Sequence, residues 1–96
     1  MESHQLINTE TLIIHHGLDK TFIDDLHFYG LIDFVEKDHN RFIYEDQLPV
    51  LEQLIRLYYD LEINMQGIDV IKNMIRKMDE MHHTIQLLKN KLDLYE

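Results

Sequence analysis

Ile71, Met74, Met78, Met81, Ile85, Leu88, Leu92 and Tyr95 recur at alternating spacings of three and four, with mostly polar residues between them. That is the a/d pattern of a heptad, and on a helix it draws one narrow apolar stripe roughly 37 Å long at about 1.5 Å per residue. A small head cannot cover such a stripe. It needs a second helix, most simply the same helix of another copy, so the spacing predicts a coiled-coil dimerisation helix over residues 67–96. No polar residue interrupts the seam to fix its register, so parallel and antiparallel pairing both remain open on this ground. Met74, Met78 and Met81 are consecutive in it, and methionine adapts to irregular gaps. They fit a loosely packed coiled-coil core, or contact with something other than a second copy.

Upstream the apolar spacing is shorter and more broken, and it predicts a head of residues 1–66. Asn8 is a good helix N-cap, with Ile7 and Leu12 placed as a hydrophobic staple. The helix it starts runs through Leu12, Ile13 and His16 and stops at Gly17. Asp19 stands where it would cap a second short helix, with Leu18 and Ile23 repeating the staple, and that helix ends at Gly30. Two short helices joined by Gly17-Leu18-Asp19 read as a helix-turn-helix. Leu31 to Val35 and Arg41 to Tyr44 are β-prone, and Lys37-Asp38-His39-Asn40 between them supplies turn residues, which predicts a hairpin wing. Asp46 is placed to cap the next helix, with Pro49 in its first turn. Leu51, Leu54, Ile55, Tyr58 and Leu61 follow at helical spacing until Glu62-Ile63-Asn64, where Asn64 can cap the heptad helix.

Charge divides the chain at the same place. Residues 1–66 hold four basic side chains (Lys20, Lys37, Arg41, Arg56) against thirteen acidic ones, and residues 67–96 hold five of each, so the whole net charge of −9 lies on the head. Such a surface repels phosphate and attracts basic protein surfaces. The absence of cysteine excludes disulfide and thiolate chemistry and fits a reducing cytoplasm. Met1-Glu2-Ser3-His4-Gln5 has neither a basic start nor an apolar run, so no signal peptide is expected. Leu12-Ile13-Ile14 is far too short to span a bilayer, and the neutral heptad helix lacks the basic face that favours anionic lipid.

Little here suggests catalysis, a cofactor or a metal. His15-His16 and His82-His83 are adjacent pairs among seven histidines, and neighbours on a helix diverge by about 100°. They read as surface or half-buried histidines. Asp24 and Asp25 are accompanied by no nucleophile or glycine-rich phosphate loop, so they read as an acidic contact surface for a basic partner or as a solvated face. His27 lies on the same helix, and Phe28 beside it is a candidate apolar anchor. Asp24, Asp25, His27 and Phe28 are the expected partner-binding residues.

The order helix-turn-helix, wing, helix, long helix resembles the winged-helix head and dimerisation helix of MerR-type regulators. It rests on Gly17, Gly30-Leu31-Ile32 and the wing strand Arg41-Phe42-Ile43-Tyr44. Within that group the chain is most similar to the CbpM-type chaperone modulators, through Gly17-Leu18-Asp19, Tyr29-Gly30-Leu31-Ile32 and Leu61-Glu62-Ile63-Asn64-Met65-Gln66-Gly67-Ile68. The resemblance runs from about Leu6 onward. It implies a mainly α fold, a MerR-like winged helix-turn-helix with a long C-terminal coiled-coil helix. It also implies a non-enzymatic, cytoplasmic homodimer, favouring an antiparallel pair, that binds and restrains the J-domain of a DnaJ-like cochaperone.

DNA-binding relatives usually carry a Thr-Leu-Arg-Tyr-Tyr-like run in the second helix. Counted back from Gly30-Leu31-Ile32, Asp24 stands at about the place of that arginine, and Asp25 follows. Phosphate contacts supply most non-specific DNA affinity, so this reversal argues against nucleic acid. In the wing, alignment on Tyr44 puts Phe42 where those relatives have arginine, and a slip of one residue would give that role to Arg41. The alternative function remains a MerR-like DNA-binding transcription regulator.

Overall fold

The computed structural model describes residues 5–95; Met1–His4, on which the expectation of no signal peptide rests, and Glu96 lie outside the described residues. The chain is mainly helical, with a small three-stranded antiparallel sheet and a long C-terminal helix. Its elements are β1 (Leu6–Asn8), α1 (Thr9–His16), α2 (Lys20–Phe28), β2 (Val35–Lys37), β3 (Asn40–Tyr44), α3 (Leu48–Ile55) and α4 (Met65–Asp93).

The helix-turn-helix forms where the glycines predict it. Asn8 Oδ1 accepts the Glu10 N–H at 2.9 Å, so its amide side chain caps α1. At the other end Gly17 takes φ 65°, and the Gly17 and Leu18 N–H groups both donate to the Ile13 carbonyl. Gly30, at φ 66°, closes α2 in the same way. There Leu31 N–H reaches Leu26 O at 3.0 Å and Gly30 N–H reaches His27 O at 3.1 Å, the paired bonds of a Schellman motif. Asp19 occupies the N-cap position of α2 with extended backbone, but its carboxylate makes no capping bond. Its N–H instead donates to the Tyr59 hydroxyl at 2.9 Å, tying the turn to the segment after α3. Burial pushes the Tyr59 phenol above its usual value, and the nearby charge of Asp19 adds to that, while the backbone hydrogen bond works against it.

The wing is a hairpin with a two-residue turn. Asp38 and His39 have φ of 53° and 66°, the pair of positive values that a type I′ turn demands. Register follows: Lys37 faces Asn40, Glu36 faces Arg41 and Val35 faces Phe42. The first wing strand thus begins at Val35, and Leu31–Phe34, expected as strand, is irregular. A side chain takes over the ladder's role there, because Gln47 accepts the Asp33 N–H at 3.2 Å and donates to the Asp33 carbonyl at 3.3 Å. β3 is central in the sheet and pairs on its other side with β1, Ile7 against Ile43.

A 3-10 turn over Glu45–Gln47 leads into α3, so Asp46 lies inside a helical turn and does not cap it. After Ile55 the helix widens over Arg56–Asp60 into a π turn, marked by the Leu61 N–H to Arg56 O bond at 3.1 Å. Tyr58 and Tyr59, consecutive in that turn, both reach the ring of Phe22, with centroids at 4.9 and 5.2 Å. Phe22 and Leu26 of α2, Ile43 of β3, Leu51 and Leu54 of α3 and Ile68 of α4 are sealed from solvent at the centre of the core.

Asn64 starts α4 by accepting the Gly67 N–H on Oδ1 at 2.8 Å. Removing that acceptor in Asn64→Ala is expected to lower unfolding stability by about 1 kcal/mol, read from urea denaturation. The first turns of α4 belong to the head, since Met65 and Ile68 are buried and Ile71, Lys72 and Ile75 half-buried. Beyond Ile75 the helix runs on with its side chains exposed through Tyr95.

Candidate protein-interaction surfaces

Two surfaces carry the residues predicted from sequence, the outward side of α2 and the free length of α4. On α2, Phe22, Ile23 and Leu26 face the core, which leaves Asp24 and Phe28, one turn apart, at the middle of the opposite side. Phe28 is 81% exposed, with its ring edge-on to Tyr29 at 5.3 Å. It is therefore a surface aromatic and not part of the core. His27 is exposed toward the wing, 5.5 Å from the Phe34 ring. Asp25 lies toward the other flank and is half-buried. Asp24, His27 and Phe28 thus share a face, and Asp25 borders it.

Asp24 already has a partner. Arg41 Nη1 lies 3.0 Å from its Oδ1, joining α2 to the wing across 17 residues of sequence. The strand alternation explains how. Arg41 is two residues from buried Ile43, so it points to the inner side of the sheet, toward the helices, while Phe42 points to the outer side. The same guanidinium lies over the Phe34 ring, 5.4 Å from its centroid. Asp24, Arg41, Phe34 and His27 therefore form a continuous chain of contacts along the wing side of α2. Sequence reasoning placed Asp24 and His27 but missed their connection. The usable signal was the hairpin register, which puts Arg41 on the face of Ile43 and opposite Glu36.

Between this flank and α1 lies an open cleft of about 380 Å³ lined by Glu10, Lys20, Asp24, Glu36, His39 and Arg41 among others. Its charged groups are of both signs, the carboxylates of Glu10, Asp24 and Glu36 against the cations of Lys20 and Arg41. Among the described residues no group of three or more His, Asp or Glu side chains could hold a metal ion. His15 and His16 sit edge-to-face at 4.8 Å, and His82 and His83 are exposed on α4. Nor is any described helix long and apolar enough to cross a membrane.

On α4 the heptad stripe divides in two. Ile71 is half-buried beside the head, whereas Met74, Met78, Met81, Ile85, Leu88, Leu92 and Tyr95 are between 51% and 89% exposed. The head contacts Met65, Ile68, Lys72 and Ile75, a row one residue out of phase with the stripe, or about 100° round the helix. The head therefore covers a neighbouring face and leaves the stripe open from Met74 onward. Lys77, Lys89 and Lys91 border it.

No curated protein and no solved structure matches the chain. The family described as MerR HTH family regulatory protein matches residues 7–90, a span that takes in the helix-turn-helix, the wing and most of α4. The chain belongs to the MerR HTH family of regulatory proteins.

Proposed function

We propose that the chain is a non-enzymatic regulator of the cytoplasm that works on protein and not on nucleic acid. Its head docks on a basic protein surface, and α4 pairs with a second copy through Ile71, Met74, Met78, Met81, Ile85, Leu88, Leu92 and Tyr95. The partner implied by the likeness to CbpM-type modulators is the J-domain of a DnaJ-like cochaperone. J-domains of this class carry a basic helix beside a His-Pro-Asp loop, which an acidic head complements. Occluding that surface would restrain the cochaperone.

The single observation that carries this reading is the charge on the helix-turn-helix. Asp24 stands at the centre of the outward side of α2, and the wing's Arg41 turns inward onto it at 3.0 Å. A duplex approaching this side would meet carboxylates, with the nearby guanidinium already engaged. Phe28, 81% exposed, offers the same side an apolar anchor.

Membership of the MerR HTH family favours a competing reading, a DNA-binding transcription regulator. A mobility shift with duplex DNA at low and moderate salt, run beside a pull-down with a purified J-domain, separates the two. Capture of the J-domain with no salt-steep DNA shift is the expected result, and the opposite pattern would sink the proposal. The double variant Asp24→Lys/Asp25→Lys is expected to slow association with the J-domain at least tenfold at low salt and to flatten its salt dependence. Stopped-flow measurement checks this, with thermal melts to correct for the lysine then facing Arg41.

A further inference from the structure

We infer that Arg41 is an exchangeable stand-in for a partner's cation, occupying Asp24 in the free protein and yielding it to a guanidinium or ammonium group that enters the cleft between α2 and the wing. This rests on the reading of the α2 side as a face for a basic partner, and it names the residue that sets how readily that face is offered.

Three observations place Arg41 in that role. Its bond to Asp24 is made at the surface, with the two side chains 27% and 48% exposed, so water and an incoming charge can both reach it. Exposed ion pairs contribute little to stability, and exchanging one cation for another at Asp24 costs little. Arg41 also has somewhere to go. Glu36 faces it directly across the hairpin, and the Phe34 ring lies under its guanidinium, so it can let go of Asp24, turn toward Glu36 and stay stacked. The cleft has room for a side chain at about 380 Å³.

The charges around the cleft decide which class of ligand competes. A phosphate or carboxylate drawn to Arg41 would lie among Asp24, Glu36 and Glu10, all of which line the same cleft. An arriving cation meets those three carboxylates favourably, and only Lys20 and Arg41 oppose it among the acidic and basic side chains there. Planar, bidentate carboxylate recognition suits guanidinium better than ammonium, so arginine is the preferred visitor.

The probe is a tetra-arginine amide peptide, titrated against the full chain while backbone amide shifts of α2 and β3 are followed by NMR. Arg41→Gln is expected to tighten binding about threefold to fivefold, and Asp24→Asn to weaken it by a similar factor. Removing any positive charge from the head raises affinity for a cation through the general field, and a double-variant cycle separates that effect from local competition. In the Asp24→Asn background Arg41→Gln should give almost none of its gain. Arg41→Lys keeps the charge while losing the planar fork, and it should fall between the wild type and Arg41→Gln. An equal gain from Arg41→Gln in both backgrounds, or weaker binding by that variant, overturns the inference. A J-domain that fails to bind while the peptide cycle behaves as expected would remove the cochaperone reading and leave the role of Arg41 standing.

Discussion

Phe22→Ala is expected to lower unfolding stability by about 4 kcal/mol, the largest effect of any single truncation in the head. Phe22 is 1% exposed, and its ring packs against Tyr58 and Tyr59 at 4.9 and 5.2 Å. The substitution deletes a large buried surface and leaves a cavity lined by two rings that cannot both collapse into it. Tyr59 also accepts the Asp19 N–H, so movement of that ring would loosen the turn between α1 and α2. A domain of this size has only about 5–15 kcal/mol to lose, so the variant should sit near the edge of folding at physiological temperature. Urea denaturation at a fixed protein concentration measures it, since any coupling to self-association makes apparent stability depend on concentration. Ile14→Ala, at a side chain 82% exposed, is the matched control and should change stability by no more than about 0.5 kcal/mol. A loss near 1 kcal/mol for Phe22→Ala would mean that the two tyrosines close over the gap.

The second large effect concerns α4. Met78→Lys combined with Leu88→Lys is expected to weaken self-association at least about a hundredfold, because pairing would bury ammonium groups in an apolar seam. Lysine is the sharper substitution than glutamate, since Lys77, Lys89 and Lys91 already border the stripe and would neutralise an added acid. Sedimentation equilibrium over a wide concentration range reads the change. The wild-type protein is itself the stricter trial: if it sediments with the mass of one chain at every concentration, the stripe has another occupant. The double variant should keep the fold of the head, because Met78 and Leu88 are 57% and 60% exposed and lie beyond the turns that contact it.

Features written in local chemistry were the most legible in the sequence. Gly17 and Gly30 mark two helix ends because only a residue tolerant of positive φ can close a Schellman turn there, and Asn8 and Asn64 do cap the helices they precede. The stripe on α4 was readable because its period is long and unbroken. What escaped was whatever a distant partner creates. β1 is three residues long, shorter than any period can reveal, and is a strand only because β3 lies beside it. Asp19 and Asp46 are of capping type, yet their carboxylates do not cap, one N–H being taken by Tyr59 and the other residue being absorbed into a 3-10 turn. Leu31–Phe34 is β-prone in composition, but the Gln47 amide, in the turn after β3, takes up the N–H and carbonyl of Asp33. Asp24 was legible as an acid in place of a base. Its ion pair was not, because that contact depends on the hairpin register.

That register has a further implication for how such heads diverge. With a turn of two residues, Asp38 and His39, the wing turns its guanidinium inward and an aromatic ring outward. Sheet pleating alternates and Ile43 is anchored in the core, so inserting one amino acid between Arg41 and Phe42 would turn Arg41 to the outer side of the strand. Arginine would then project to the exterior, ready for phosphate, and Asp24 would be released. A single codon's difference in strand length, with no substitution at either position, would be enough to move the wing's cation from α2 to the exterior.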